Sequence, residues 1–234
     1  MSLRLALLRG LTLAVSGAGL VWGCWALPNS EAADDFRSFE SQLLQSETYR
    51  PRTLALKLAS PAAQAVSDCD SHSQTALLLT EMRLAQAALH AGDVEAFDKH
   101  AKSLESRSKR TLGCAPRQSF IWLLAFNMEV LHGRLNEQSF NLLTMSYELS
   151  PNEAWISIRR IIIAVPLVVV APEPIRQKIL AEFQQLIRNG FADDAARCYL
   201  TASGSVRSLL QTQIDQLDLS QQKSFANALQ RIHS

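Results

Sequence analysis

The sequence has few glycines and almost no net charge, and each of these shortages argues against some classes of protein. Only nine of its 234 residues are glycine, while alanine, leucine and glutamine are frequent, and this composition favours helix over sheet. The net charge is +1, without the clustered basic face that nucleic-acid binding requires. We therefore expect an all-α protein that does not bind nucleic acid.

Motifs that would identify an enzyme or a metal site are also missing. The sequence contains no glycine-rich phosphate loop, no HExxH and no pair of carboxylates in a catalytic motif. Residues 69–72 (Cys-Asp-Ser-His) offer three kinds of metal ligand, but zinc needs about four ligands and no second histidine pair has ligand spacing. We expect a turn before a helix at these residues, and a non-enzymatic protein without a cofactor or metal.

The N-terminus has the charge order of an export signal. Arg4 and Arg9 precede an uncharged run that begins at Gly10 and whose apolar part ends near Leu27, and this order is typical of a signal peptide or signal anchor. The 18 residues 10–27 fall within the range of about 17 to 25 that can span a bilayer. Basic residues stay on the cytoplasmic side. We expect residues 1–33 to be a single-pass signal anchor in the bacterial inner membrane, with the bulk of the chain in the periplasm.

Two other fates of this N-terminal segment stay open. Residues 30–32 (Ser-Glu-Ala) have the small-x-small pattern of a cleavage site, and cleavage would release the rest of the chain into the periplasm. Residues 21–24 (Val-Trp-Gly-Cys) resemble a lipoprotein box in which a bulky tryptophan precedes the glycine. Retention as an anchor, cleavage and lipidation therefore remain as alternatives.

The stretch from Pro116 to Ile163 indicates two complete helices, two turns and the start of a third helix. Its apolar residues recur at spacings of three and four, which is the period of one helix face. Gly133 separates the two runs and Pro151 ends the second. We therefore predict two antiparallel amphipathic helices. Their apolar positions are Ile121, Leu124, Met128 and Leu131 in the first and Phe140, Leu143 and Tyr147 in the second.

The segments on both sides have the same helical period, and we predict about nine to eleven helices in all. Gly92 ends one helix, Asp93 is the N-cap of the next, and Ser220 is the N-cap of the last. The apolar residues 161–171 are interpreted as buried core, with a short buried strand as the alternative. No low-complexity linker occurs, so a single domain over residues 34–234 is expected. Predicted helices with clear ends cover residues 34–46, 52–59, 75–91, 191–200, 206–217 and 220–232.

The central stretch also repeats at the period of a known family. Trp122 and Trp155 are 33 residues apart, and Pro116 and Pro151 are 35 apart. These spacings bracket the period of about 34 residues in tetratricopeptide helix pairs. Both tryptophans would lie on the first helix of a pair.

Small residues add to this resemblance. Ser139 and Ser146 are seven apart and are followed by Pro151, as in the second helix of a tetratricopeptide pair, where small residues let neighbouring helices approach closely. The chain from Ala76 to about Arg188 therefore resembles this family. The resemblance implies antiparallel helix pairs stacked as a short solenoid behind the signal-anchor helix, a fold that presents a concave surface for protein–protein interaction.

The run from Ser146 to Arg160 (SYELSPNEAWISIRR) is similar to periplasmic helical proteins that accompany bacterial envelope polysaccharide assembly. This likeness implies a membrane-anchored scaffold that binds another envelope protein in exopolysaccharide or cell-envelope polysaccharide assembly or export. The alternative is an α-helical hydrolase or lyase that binds envelope polysaccharide. Such enzymes are usually longer and have acidic and aromatic residues on several loops, whereas the connections predicted for this chain are short.

Four residues of the repeats are candidates for a binding surface. Trp122 and Trp155 are interpreted as core residues, with a concave face for peptides or sugars as the alternative. Arg159 and Arg160 are adjacent and point to different parts of their helix. One of them could face the groove of the solenoid and bind a carboxylate or an acidic sugar, and a structural ion pair is the preferred interpretation. The candidate partners in that ion pair are Glu148 and Glu153.

Three cysteines lie beyond the N-terminal segment, and two of them can pair in an oxidising compartment. Cys69 and Cys114 each precede the first helix of a predicted pair, so stacked repeats would bring them to the same edge. We therefore predict a Cys69–Cys114 disulfide, with Cys198 buried in its helix as a small apolar residue. Closing a loop of that size would stabilise the domain by about 4 kcal/mol in the chain-entropy treatment.

Overall fold

The computed structural model describes the backbone of residues 2–45 and 50–233, and the side chains of residues 10–24, 36, 38–43 and 50–232. Within these ranges the chain forms twelve α-helices and one 3-10 helix and no β-strand, which confirms the all-α prediction. The helices are α1 (Ser2–Gln45), α2 (Pro51–Leu58), α3 (Pro61–Ala65), α4 (Ser71–Ala91), α5 (Val94–Cys114), α6 (Ser119–Leu131), α7 (Glu137–Leu149), α8 (Ala154–Ala164), the 3-10 helix (Val165–Leu167), α9 (Glu173–Arg188), α10 (Ala192–Thr201), α11 (Gly204–Asp215) and α12 (Leu219–His233).

The number of helices exceeds the predicted nine to eleven, and several helix ends lie one to four residues from the predicted positions. The short helix α3 and the 3-10 helix were not predicted, because segments of three to five residues are too short for a helical period to be recognised. The predicted anchor and the predicted helix over residues 34–46 belong to one helix, α1, which is continuous to Gln45.

The chain divides into two compact units, residues 1–100 and 101–234. The expected single domain over residues 34–234 stays a prediction. In the first unit, the last part of α1 and the short helix α2 pack against α4. Phe36 of α1 and Ala63 of α3 meet Ala76 and Leu77 of α4 in a buried cluster. Burial of these apolar side chains holds the unit together, because area removed from water is the main stabilising term.

The N-cap of α4 explains the run that offered metal ligands. The Asp70 carboxylate accepts a hydrogen bond from the backbone N–H of Ser73 at 3.3 Å, which satisfies one of the unpaired donors of the first turn. Cys69 and Asp70 therefore belong to the turn before α4, as predicted, and Ser71 and His72 are the first residues of the helix.

The first part of α1 presents apolar side chains to its surroundings. The large apolar residues between positions 11 and 22 are each 65–75% exposed. None of the helices within the described ranges combines the length and apolarity needed to cross a membrane. The signal anchor over residues 1–33 stays a prediction.

In the second unit, α6 and α7 pack against each other as the central hairpin. Gly133 adopts a left-handed backbone conformation with φ 68°, which glycine reaches without a steric cost. Asn136 then caps α7, because its side chain accepts from the N–H of Ser139 while the Ser139 hydroxyl accepts from the N–H of Asn136. The predicted apolar positions of both helices are buried, except Leu131, which is 44% exposed at the end of α6.

The apolar residues 161–171 form neither a strand nor a fully buried segment. The end of α8 leads into the 3-10 helix at Pro166, followed by a turn. Val165, Val168 and Ala171 are buried, but Ile162 and Val170 are exposed. The strand alternative is wrong, and the expectation of complete burial holds for only part of the run, because a helical turn puts some of these side chains on the outer face.

The last helix begins one residue earlier than predicted, and its cap is Asp218 instead of Ser220. The Asp218 carboxylate accepts from the backbone N–H of Gln221 at 2.8 Å and from the Ser220 hydroxyl at 2.7 Å. The hydrogen bond from Ser220, with a smaller effect of the Gln221 N–H, lowers the pKa of the Asp218 carboxyl. A carboxylate at this position also interacts favourably with the positive end of the helix dipole.

The predicted disulfide is confirmed: Cys69 and Cys114 are bonded. Cys24 and Cys198 have free thiols, of which the first is exposed and the second buried. Burial raises the pKa of the Cys198 thiol to about 12, so its reactive thiolate form is rare at neutral pH.

We expect iodoacetamide to leave Cys198 unmodified in the folded protein, because its thiol is buried and its pKa is raised to about 12. After unfolding without reduction Cys198 should react, and mass mapping should recover one peptide pair linked through Cys69 and Cys114. The unfolded sample serves as the reactive control. Modification of Cys198 in the folded protein at the rate of the unfolded protein, or a linked pair that contains Cys198, would contradict the structure.

Candidate functional site

The structure gives the four predicted binding residues different environments. Arg160 is completely buried, with 0% of its surface exposed, whereas Arg159 is half-buried. Trp155 is half-buried and its ring lies 5.2 Å from that of Phe120, a packing contact of the kind that stabilises cores. Trp122 is half-buried and its Nε1 donates to the carbonyl of Pro116 at 2.7 Å.

Arg160 of α8 is the centre of a buried polar network. Its Nε and Nη2 donate to one carboxylate oxygen, Oε1, of Glu182 in α9, at 2.8 and 2.7 Å. Its Nη1 donates to the carbonyl of Ser146 at 3.0 Å and its Nη2 to that of Ser150 at 2.9 Å. Both carbonyls belong to the end of α7, where helical carbonyls lack partners along their own helix. The guanidinium therefore caps the C-terminal end of α7 and connects this helix to α8 and α9.

The structural ion pair that was preferred for one of the two arginines is formed by Arg160, but its partner is Glu182 and not Glu148 or Glu153. Among the ion pairs of the described residues, Glu148 instead lies 3.9 Å from the ammonium of Lys178. Glu182 takes the role because a fully buried arginine requires a buried carboxylate. Arg160 is also not available to bind an external carboxylate or an acidic sugar.

Tyr147 completes the network on the side of α7. The guanidinium carbon of Arg160 lies 4.7 Å from the centre of the Tyr147 ring, a cation–π contact. Burial and the neighbouring Glu182 carboxylate raise the pKa of the Tyr147 hydroxyl well above its usual value. Burial also raises the pKa of the Glu182 carboxyl, and the hydrogen bond from Arg160 opposes that rise.

An open groove with a volume of about 300 Å³ lies elsewhere in the second unit. Residues 105–112 of α5, residues 122–129 of α6 and Leu142 of α7 line it, and we call it the Trp122 groove. Its volume is at the lower end of the range found for ligand pockets, roughly 300–1,000 Å³. The groove can therefore accept one or two apolar side chains or a small molecule.

The floor of the Trp122 groove is apolar and contains one buried hydroxyl. Leu112, Ala125, Met128 and Leu142 line it together with the half-buried Trp122. Ser108 is 2% exposed, and its Oγ has no hydrogen-bond partner among the described residues. A buried polar group without a partner is costly, and this hydroxyl is covered and not exposed to the groove.

The rim of the Trp122 groove is charged but internally neutralised. The ammonium of Lys109 lies 2.8 Å from Glu105, and two guanidinium nitrogens of Arg134 lie 2.8 Å from the carboxylate oxygens of Glu129. The hydrogen bond from Lys109 lowers the pKa of Glu105, and that from Arg134 lowers the pKa of Glu129. Both carboxylates therefore stay ionised and paired at neutral pH, and the rim gives little net attraction for a charged ligand.

The sequence analysis missed the contribution of α5 to this groove. Lys109 and Arg110 of this helix are exposed. However, Glu105, Ser108, Lys109 and Leu112 follow the spacing of three and four that places residues on one helix face. That spacing was the available signal, and the high charge of the segment concealed it.

No protein family, curated protein or solved structure matched the chain when the three were compared with it. The tetratricopeptide resemblance therefore stays a prediction. No group of three or more histidine, cysteine or acidic residues within the described part of the chain could hold a metal ion.

The Arg160–Glu182 pair lends itself to a double-mutant cycle. We expect Arg160→Met to lower the free energy of unfolding by about 3–5 kcal/mol, because it leaves a buried carboxylate without its partner. The double variant Arg160→Met/Glu182→Leu should recover much of this loss, since both charges are then gone. Chemical unfolding measures these two variants together with Glu182→Leu, which completes the cycle.

Lys178→Met is the control for this cycle. Lys178 pairs with Glu148 across 3.9 Å, and both side chains are largely exposed, so we expect a loss below about 1 kcal/mol. Equal effects of Arg160→Met and Lys178→Met would contradict the burial and pairing described above.

Proposed function

We propose that the protein is a tethered helical binding module that holds another envelope protein outside the cytoplasm. The observation that carries this proposal is the Trp122 groove, an open apolar surface with a partly accessible tryptophan. In this proposal the helix pairs form a short solenoid of the tetratricopeptide type. The complex that it serves assembles or exports an exopolysaccharide or a cell-envelope polysaccharide.

The anatomy of the groove supports a protein partner. Protein interfaces commonly have an apolar centre within a polar rim, and the groove has the same arrangement of Met128, Ala125 and Leu112 within Glu105 and Glu129. Tryptophan is enriched among the residues that contribute most to such interfaces. An apolar side chain of the partner would contact the ring of Trp122 and the apolar floor beside it.

Two further features support the proposed location. The apolar side chains of α1 between positions 11 and 22 are exposed, as they would be on a helix that contacts lipid. The Cys69–Cys114 disulfide is typical of proteins outside the cytoplasm. The proposal therefore includes an N-terminal anchor in the inner membrane, with cleavage of the signal and release to the periplasm as the alternative.

Placing a large charged side chain in the groove tests the binding surface. We expect Ala125→Arg to reduce crosslinking of the chain to its envelope partner in cells at least tenfold, because the guanidinium would occupy the apolar floor. Crosslinking in cells followed by pull-down and mass spectrometry measures the partner. The expected magnitude corresponds to a loss of at least about 1.4 kcal/mol of binding free energy.

Ala226→Arg is the matched control. Ala226 is exposed on α12, away from the residues that line the groove, so the same change there should leave the crosslinks intact. Both variants should unfold at the temperature of the wild type. If the chain captured no protein but bound or cleaved a polysaccharide, the scaffold proposal would be wrong, and the hydrolase or lyase would replace it.

The topology of the proposed anchor is tested separately. A reporter that is active only outside the cytoplasm should be active when fused after Ser30, and the full chain should remain with the membrane after alkaline washing. The reporter result is expected because Arg4 and Arg9 stay on the cytoplasmic side, and retention in the membrane is expected because apolar side chains resist transfer from lipid to water. Recovery of a shortened, soluble chain would instead demonstrate a cleaved signal.

A further inference from the structure

The Trp122 groove has a charged end and an apolar end. The consecutive helices α5 and α6 are joined only by residues 115–118, and helices with so short a connection run in opposite directions. Glu105 and Glu129 therefore lie at one end of the groove. Leu112 follows Glu105 by about two turns, and Trp122 precedes Glu129 by about two turns. These two apolar side chains form the other end.

The polar groups around the groove have partners within the chain or are covered. The two ion pairs of the rim neutralise the charged end. At the apolar end, Nε1 of Trp122 donates to the carbonyl of Pro116 at 2.7 Å, and the Ser108 hydroxyl is covered. The backbones of α5 and α6 are helical along the groove, so their N–H and C=O groups pair mainly within each helix. The groove therefore offers apolar contact and little hydrogen bonding.

This shortage of free polar groups determines which occupant fits. An extended peptide would place its backbone N–H and C=O groups against the apolar floor without partners, and a sugar would leave its hydroxyls unpaired in the same way. An α-helix pairs its own backbone groups and can present only apolar side chains to the floor. Amphipathic helices bind other proteins in this manner, with their apolar face in a groove.

The length of the groove fits the same occupant. The groove extends from residue 105 to residue 112 along α5 and from residue 122 to residue 129 along α6. This is about 10 Å at a rise of 1.5 Å per residue, which is the length of two helical turns. Residues three or four apart on one face of a helix are neighbours, so two of them can enter the groove together.

We propose that the occupant of the Trp122 groove is an amphipathic α-helix of the partner protein, which inserts apolar side chains three or four residues apart and has no net charge on that face. The apolar side chains contact Trp122 and Leu112, and a neutral polar side chain lies beside Glu105 and Glu129. Because two carboxylates and two cations are present at the charged end, a single charge on the partner would meet repulsion as well as attraction. This inference rests on the proposed function and specifies the kind of partner segment.

A photocrosslinking amino acid at each end of the groove tests for the helix. It replaces Leu112 in one variant of the full chain and Glu105 in another, and mass spectrometry identifies the partner residue that each variant captures in cells. Since the two positions are about 10 Å apart, we expect the captured residues to be about seven positions apart in a helical segment. In an extended segment they would be about three positions apart. The captured segment should have apolar residues at spacings of three and four and no net charge on that face.

The same crosslinker at Ala226, which is exposed on α12, is the control and should not capture this segment. Captured residues about three positions apart, or a segment without the apolar spacing, would overturn the inference and leave the proposed protein-binding function in place. Capture of a lipid or a polysaccharide, or no capture at either groove position, would contradict both.

Discussion

The buried charge of Arg160 is the constraint on which the second unit depends. A guanidinium without exposure to water must have a carboxylate and acceptors for its N–H groups, or the folded state would be strongly destabilised. Glu182 supplies the charge, and the carbonyls at the end of α7 supply further acceptors. Ser119 of α6 also donates to the carbonyl of Ser146 at 2.8 Å. Four consecutive α-helices, α6 to α9, therefore meet around one set of hydrogen bonds.

This arrangement explains why small residues matter near the network. Ser146 is completely buried, and both its carbonyl and its hydroxyl accept from Arg160. A larger side chain at this position would push α7 away from α6 and α8 and would break these contacts. The small residue was noticed in the sequence for its spacing, but its role in the structure is to accept hydrogen bonds at a close helix contact. Polar networks of this kind specify one arrangement of helices more strictly than apolar packing does.

Local signals predicted most of the helices but little of the candidate site. Gly133 and Pro151 mark helix ends by their own backbone properties, so α6 and α7 could be located from the sequence. The partner of Arg160 lies 22 residues away, beyond the reach of any helical spacing, and arginine is seldom fully buried. The Trp122 groove depends on the packing of α5, α6 and α7, and spacing within one helix does not reveal which helix faces it. Trp122 was singled out in the sequence because it lies 33 residues before Trp155, but only the structure shows that it lines a groove.

The paired charges around the Trp122 groove determine how binding of a partner would depend on salt concentration. Long-range attraction between proteins weakens as salt screens unpaired charges, with a Debye length of about 10 Å at 0.1 M. Here Glu105 and Glu129 each have their own cation at 2.8 Å. A partner would meet an almost neutral surface, and its affinity would come from apolar contact. The association rate of such a complex would not be raised by electrostatic attraction, and its affinity would change little when the salt concentration around the cell changes.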